Sequence, residues 1–187
     1  MNLSDPFKIL SPNERWAPTQ GQMDAFQNAY EKLLPPLVYK IRIAVAKWRD
    51  EGYQGASETS KSLLNFWFNQ EHLIGQTKFS FFFSQREAIE SIIYLYEIAK
   101  ARDKYELVRF DSSQRVSTGM FEETWTRYVI KMATGAGKTK VMGLTLVWSY
   151  FHKLYEAGST LSKDFLVIAP NIIVLNRLRK DFDGLKM

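Results

Sequence analysis

Eight consecutive residues, Met132-Ala133-Thr134-Gly135-Ala136-Gly137-Lys138-Thr139, have the types and spacing of a phosphate cradle. Gly135 and Gly137 permit backbone conformations that other residues resist, so successive N–H groups can converge on phosphate oxygens. A helix opening at such a turn points its positive end at the same oxygens. In that reading Thr134, Gly135, Ala136 and Gly137 line a nucleotide's phosphates, and Lys138 reaches the β- and γ-phosphates. The Thr139 hydroxyl would ligate Mg2+. The bland alternative is a chance Gly-rich turn; the strand expected before the loop and the helix expected after it argue against that.

Met132 stands where the general G-x-x-x-x-G-K-[ST] pattern has glycine, which separates this loop from those of small GTPases and transport ATPases. Two further places could touch ligand. Gln85 falls within the apolar stripe of its own expected helix, just after Phe81-Phe82-Phe83-Ser84, and a polar side chain there needs partners. Its amide offers a donor and an acceptor edge, which suits adenine, and it equally suits support of the helix cap; the pattern leaves both open. Pro170 and Asn171 follow an apolar run and precede a helix carrying Arg177, Arg179 and Lys180. A strand end, a helix start and basic side chains can hold a nucleic acid backbone. A solvated charged face is the alternative, and Asp181 and Asp183 partly offset the charge.

Composition bounds these readings. The 187 residues suffice for one domain, or one domain and part of another, with 45% hydrophobic and 24% charged residues, the balance of a soluble globular chain. A net charge of +5 permits contact with nucleic acid without requiring it. Cysteine is absent, which excludes disulfides and thiolate metal sites, and His72 and His152 are too far apart in sequence for a local metal motif. No signal peptide and no membrane-length apolar run is found, so the chain reads as soluble and cytoplasmic, with no membrane partner.

The elements that must position the loop follow from periodicity. An irregular arm at residues 1–21 precedes helices expected at 22–34, 37–50 and 57–68. Lys40, Arg42, Lys47 and Arg49 fall on the two flanks of the second helix's apolar stripe, where long side chains snorkel to solvent. After an aromatic run at 79–83, Ser84 and Glu87 fit a capping box opening a helix with Ala88, Ile89, Ile92, Ile93 and Tyr96 on one face. Residues 103–126 are polar and loop-like. Residues 128–132 read as a strand, 137–156 as a helix apolar nearly all round, and 165–169 as a buried parallel strand: one right-handed crossover unit.

A glutamine at a helix start, an M-A-T-G-A-G-K-T loop and a strand ending in Ala169-Pro170, in that order, resemble the opening motifs of superfamily 2 helicases. Met-Ala-Thr before G-x-G-K-T is similar to the Res subunits of type III restriction enzymes. So are Trp48-Arg49, Gly52-Tyr53, Leu63-Leu64 with Trp67-Phe68, and residues 83–88. The resemblance spans about residues 45–180 and is most specific at the loop. It implies an α/β fold: the beginning of a RecA-like P-loop domain at 79–187, a parallel sheet with flanking helices, preceded by a mainly helical region at 1–78. It also implies a motor that binds ATP and Mg2+, translocates on double-stranded DNA, and in the full enzyme carries a nuclease domain and works with a modification (methyltransferase) subunit. By the same resemblance Gln85 matches an adenine-reading glutamine, Lys138 and Thr139 the nucleotide and metal contacts, and Pro170 a DNA-facing motif. Asn176 departs from the glutamine that relatives often carry there.

No D-E-x-H or D-E-x-D follows residues 165–169, and the sequence contains no arginine-finger segment or second RecA-like domain. The expectation is therefore an N-terminal fragment that stops before the D-E-x-x motif and binds ATP without turning it over alone. The alternative is a non-catalytic nucleotide-binding or scaffolding module.

Overall fold

The computed structural model describes residues 5–12, 37–111, 116–120 and 127–182. The helix expected at 22–34 lies outside the described residues, as does most of the 1–21 arm. In chain order the elements are α1 (Val38–Asp50), α2 (Glu58–Asn69), the strands β1 (His72–Ile74) and β2 (Thr77–Phe79), and α3 (Phe83–Ile93), which runs on into a π turn at Tyr94–Ile98. Then follow α4 (Lys104–Val108), a 3-10 turn at Thr118–Met120, α5 (Lys138–Tyr155) and α6 (Ile172–Phe182). The described residues fall into two compact units, one drawn from Met1–Ala56 and Glu90–Ile130, the other from Ser57–Ile89 and Lys131–Met187.

In the first unit α1 forms where Leu37, Ile41, Ala44, Val45 and Trp48 recur on one face. It ends in a Schellman cap: the Gly52 N–H donates to the Arg49 carbonyl at 3.0 Å and the Tyr53 N–H to that of Trp48 at 2.9 Å. Gly52 takes φ of 69° and Tyr53 follows at 60°, a left-handed conformation that costs a residue with a Cβ about 1–2 kcal/mol. Tyr53 is held there by its hydroxyl, which donates to Glu90 at 2.6 Å, and by its ring, which meets Trp48 edge-on with centroids 4.9 Å apart.

Arg49 departs from the flanking, solvent-reaching place expected for it. It is buried, its Nε donating to the two carboxylate oxygens of Glu90 at 3.0 and 2.9 Å while Nη2 pairs with Oε2. Glu90 is fully buried on α3, and a buried carboxylate captures the cation that can reach it, overriding the stripe-edge preference. Beyond Ile93 the helix widens, with the Ala99 N–H donating to the Tyr94 carbonyl five residues back. Leu95, Ala99, Ala101 and Phe110 then pack with Leu37, Ile41, Ala44, Leu107 and Tyr128. The Tyr128 hydroxyl donates to the Ala101 carbonyl at 3.0 Å, and its burial pushes the phenol above its ordinary value against the opposing pull of Arg102.

In the second unit α2 and α5 pack together. Leu64 and Trp67 of α2 and Val141, Leu144, Trp148 and His152 of α5 are buried, and the Trp148 indole N–H donates to the Ser60 hydroxyl at 2.8 Å. The N-terminus of α2 has two caps. Ser57 accepts from the Ser60 N–H at 3.1 Å, and Glu156, just past the end of α5, accepts from the Thr59 N–H at 2.9 Å. The hydrogen bonds from Thr59 hold the Glu156 carboxyl below the usual carboxylate range, with His152 assisting. Although α5 is apolar nearly all round, full burial follows one stripe, and Leu154 and Tyr155 are exposed. Helix α6 packs on α5 at Gly143, where an added Cβ would lie 3.8 Å from the Phe182 ring.

The parallel sheet expected from residues 128–132 and 165–169 is not present among the described residues; neither stretch is paired as a strand. A strand is defined by a ladder on its edge and cover on its faces, and here Val129, Leu166 and Ile168 are each more than 80% exposed. The sheet that does form among those residues is the β1–β2 hairpin, antiparallel with His72 opposite Phe79. Gly75 takes φ of 63° at the first position of its two-residue turn, as such turns require. It carries the aromatic run into a ladder of edge contacts, Phe66 on His72, Phe79 on Phe81 and Phe81 on Phe68.

Candidate nucleotide-binding site

The glycine loop lies in the second unit and leads directly into α5, as its spacing predicts. Gly135 has φ of 82° and Gly137 φ of 76°, both in the left-handed region where glycine is at home. Met132 is not among the positive-φ residues, so the missing glycine at that position is not demanded by the backbone. Gly137 serves as the N-cap of α5 and brings no side chain to the helix end. Among the described residues the N–H groups of Gly135, Gly137, Lys138 and Thr139 have no hydrogen-bond partner within the chain. Helix ends satisfy such donors with caps, water or ligands, so this helix start is open to an acceptor from outside.

The charges agree. The first turn of α5 contains no acidic residue, and Lys138 and Lys140 both lie in it. The Lys138 ammonium is folded back along the loop, donating to the Met132 carbonyl at 3.0 Å and the Ala133 carbonyl at 2.8 Å. It is exposed, so exchanging these contacts for phosphate oxygens needs only side-chain rotation. The Lys140 ammonium lies 5.5 Å from the centroid of the Phe79 ring, which brings the end of the hairpin beside the start of α5. A Cβ on Gly135 would meet nothing within 4 Å, leaving open space over that part of the loop. These features fit an anionic phosphate chain. No group of three or more His, Asp or Glu that could hold a metal occurs among the described residues. Thr139 is the residue of the loop whose hydroxyl could hold Mg2+.

Gln85 is brought to the loop. It is 5% exposed, and both amide edges have protein partners. Oε1 accepts from the Phe82 N–H at 3.0 Å, and Nε2 donates to the Ala136 carbonyl at 3.0 Å. The first of these is the returning half of a capping box, formed two residues earlier than the Ser84–Glu87 pattern suggests, because the helix begins at Phe83. A Cβ on Gly137 would run into the Gln85 amide nitrogen, so loop and side chain are in direct contact.

The nucleic-acid candidates lie apart from this constellation. The Asn171 side chain accepts from the Val174 N–H at 3.0 Å and caps α6. Pro170, Asn171 and Arg177 are exposed, and among the described residues no hydrogen bond or ion pair joins them to the loop. Sequence reasoning missed the Arg49–Glu90–Tyr53 cluster; the available signal was Glu90, an acid set among Ile89, Ile92 and Ile93 along the chain. It also missed Glu156, whose partner is distant in sequence.

The family described as type III restriction enzyme, res subunit, matches residues 78–187, more than half of the chain. No curated protein and no solved structure matches it.

Proposed function

This chain belongs to the family of type III restriction enzyme res subunits, and from that membership we propose that residues 132–139 bind ATP with Mg2+ for a DNA-translocating motor. The family is related to superfamily 2 helicases and carries a RecA-like fold. The observation that supports nucleotide binding most strongly is the loop itself: two left-handed glycines and an uncapped helix start whose N–H groups have no partner among the described residues. In the proposed site the backbone of residues 134–139 holds the phosphates, Lys138 neutralises their charge, and Thr139 ligates the metal. Held there, Mg2+ would supply positive charge against the charge on the phosphates.

The motor domain in this reading begins near residue 79, with residues 1–78 a helical region before it. Its track is double-stranded DNA, contacted by Pro170 and Asn171 just before α6 and by Arg177 midway along it, and its partner is a modification subunit. Exposure of these three residues and the basic side chains of α6, Arg177, Arg179 and Lys180, support the DNA assignment. No helix among the described residues is long and apolar enough to cross a membrane. The test of the site is titration calorimetry with ATP and Mg2+. Lys138→Ala removes a charged phosphate contact worth about 1.5–3 kcal/mol, a loss of roughly ten- to a hundredfold in affinity. Equal affinity in the two proteins refutes the assignment.

A further inference from the structure

We propose that Gln85 is a positioning residue that locks the Ala136–Gly137 peptide in one orientation and so aims the Gly137 N–H at the ligand's phosphate oxygens. The inference rests on the reading of the loop as a phosphate site and adds to it how one of its donors is held.

Three observations carry it. First, the Gln85 amide is itself oriented without ambiguity. Its acceptor edge meets an N–H, that of Phe82, and its donor edge meets a carbonyl, that of Ala136, so turning the amide over would break both bonds at once. Second, the peptide bond is trans, and in a trans peptide the carbonyl and the N–H point in opposite directions within one plane. Holding the Ala136 carbonyl against Gln85 therefore points the Gly137 N–H away from Gln85, and that N–H has no partner among the described residues. Third, this peptide is the one in the loop most in need of a lock. A glycine on its C-terminal side accepts either sign of φ, so the plane can turn over at little steric cost, as it does between type I and type II turns. Turned over, it would present a carbonyl oxygen to phosphate anions in place of a donor.

The lock acts on phosphate and is indifferent to the base, which separates it from adenine reading. The amide keeps one further N–H and one further lone pair, so the two roles are compatible, and the measurement has to isolate the phosphates. Inorganic pyrophosphate with Mg2+ does so. Gln85→Ala should weaken its binding to the 187-residue chain roughly two- to tenfold, the worth of one neutral hydrogen bond, with a comparable factor for ATP and for GTP. Gln85→Glu should lose more near neutral pH, because a carboxylate faces the Ala136 carbonyl with no donor. On acidification the protonated carboxyl regains an O–H donor beside an acceptor. Its deficit, taken as a ratio to the unmodified chain at the same pH, should then shrink.

Unchanged pyrophosphate affinity in Gln85→Ala overturns the lock, and a loss confined to ATP makes the residue a base reader instead. A pH-independent deficit in Gln85→Glu overturns it as well. If the unmodified chain and Lys138→Ala bind pyrophosphate alike, the phosphate-site reading has failed and the lock falls with it.

Discussion

Replacing Glu90 by alanine removes a fully buried charge in the first unit. Its carboxylate is fully buried and faces an Arg49 guanidinium whose side chain is 6% exposed, with the Tyr53 hydroxyl as a further donor. Removing it takes a buried carboxylate partner from Arg49, which costs about 3–5 kcal/mol, and an acceptor from the Tyr53 hydroxyl, about 1–3 kcal/mol. One carboxylate serves both donors, so the two losses overlap, and about 3–5 kcal/mol is expected in total. Against a typical domain stability of about 5–15 kcal/mol this takes away roughly a fifth or more. Urea denaturation followed by tryptophan emission is the assay, since the Trp48 ring lies 4.9 Å from that of Tyr53. The deciding comparison is the triple variant Arg49→Met, Glu90→Leu, Tyr53→Phe, which removes these three polar side chains at once and should recover most of the loss. A cost below about 1 kcal/mol for Glu90→Ala, or a triple variant as unstable as the single one, refutes the reasoning.

Two more outcomes follow from the second unit. Gly137→Ala puts a Cβ against the Gln85 amide in a left-handed conformation worth about 1–2 kcal/mol of strain, so thermal stability and pyrophosphate affinity should fall together; an unshifted melting temperature would count against the loop geometry. Glu156 has its folded pKa below its unfolded one, so its stabilisation is present above the unfolded value and fades as pH falls through the folded value. Glu156→Gln should therefore flatten the acid side of the melting-temperature profile as pH falls below the ordinary carboxyl value of 4.5, and parallel profiles would refute the Thr59 bond as its cause.

What the sequence disclosed depended on how local the physics was. Helices α1 and α2 lie within a residue or two of their expected spans because the apolar period, Ser57 and Gly52 mark their ends within one turn. The loop was legible for the same reason: two glycines and a lysine–threonine pair sit within five residues. Arg49 was misplaced because its partner is 41 residues away, and nothing in its own helix announces a buried carboxylate. The hairpin was missed because its strands are three residues each, too short for alternation to register, with only Gly75 to mark the turn. Residues 128–132 and 165–169 have the composition of parallel strands, but a strand exists only through a neighbour, and composition cannot supply one. Gln85 was singled out correctly as a polar residue in need of partners, while the identity of one partner, a carbonyl 51 residues on, had no local trace.

Helix α5 can also be considered as a lever. Its 18 residues at 1.5 Å each make a rod of about 27 Å, with the glycine loop at one end and Glu156 just past the other. A swivel of only about 5° at the loop would carry the far end through about 2 Å, given that rigid length. The bond from the Thr59 N–H to Glu156 stands at 2.9 Å and does not survive a stretch of that size. The start of α2 thus works as a strain gauge for the loop: slowed or hastened amide exchange at Thr59 would register, from the opposite end of the helix, any tilt that a ligand imposes.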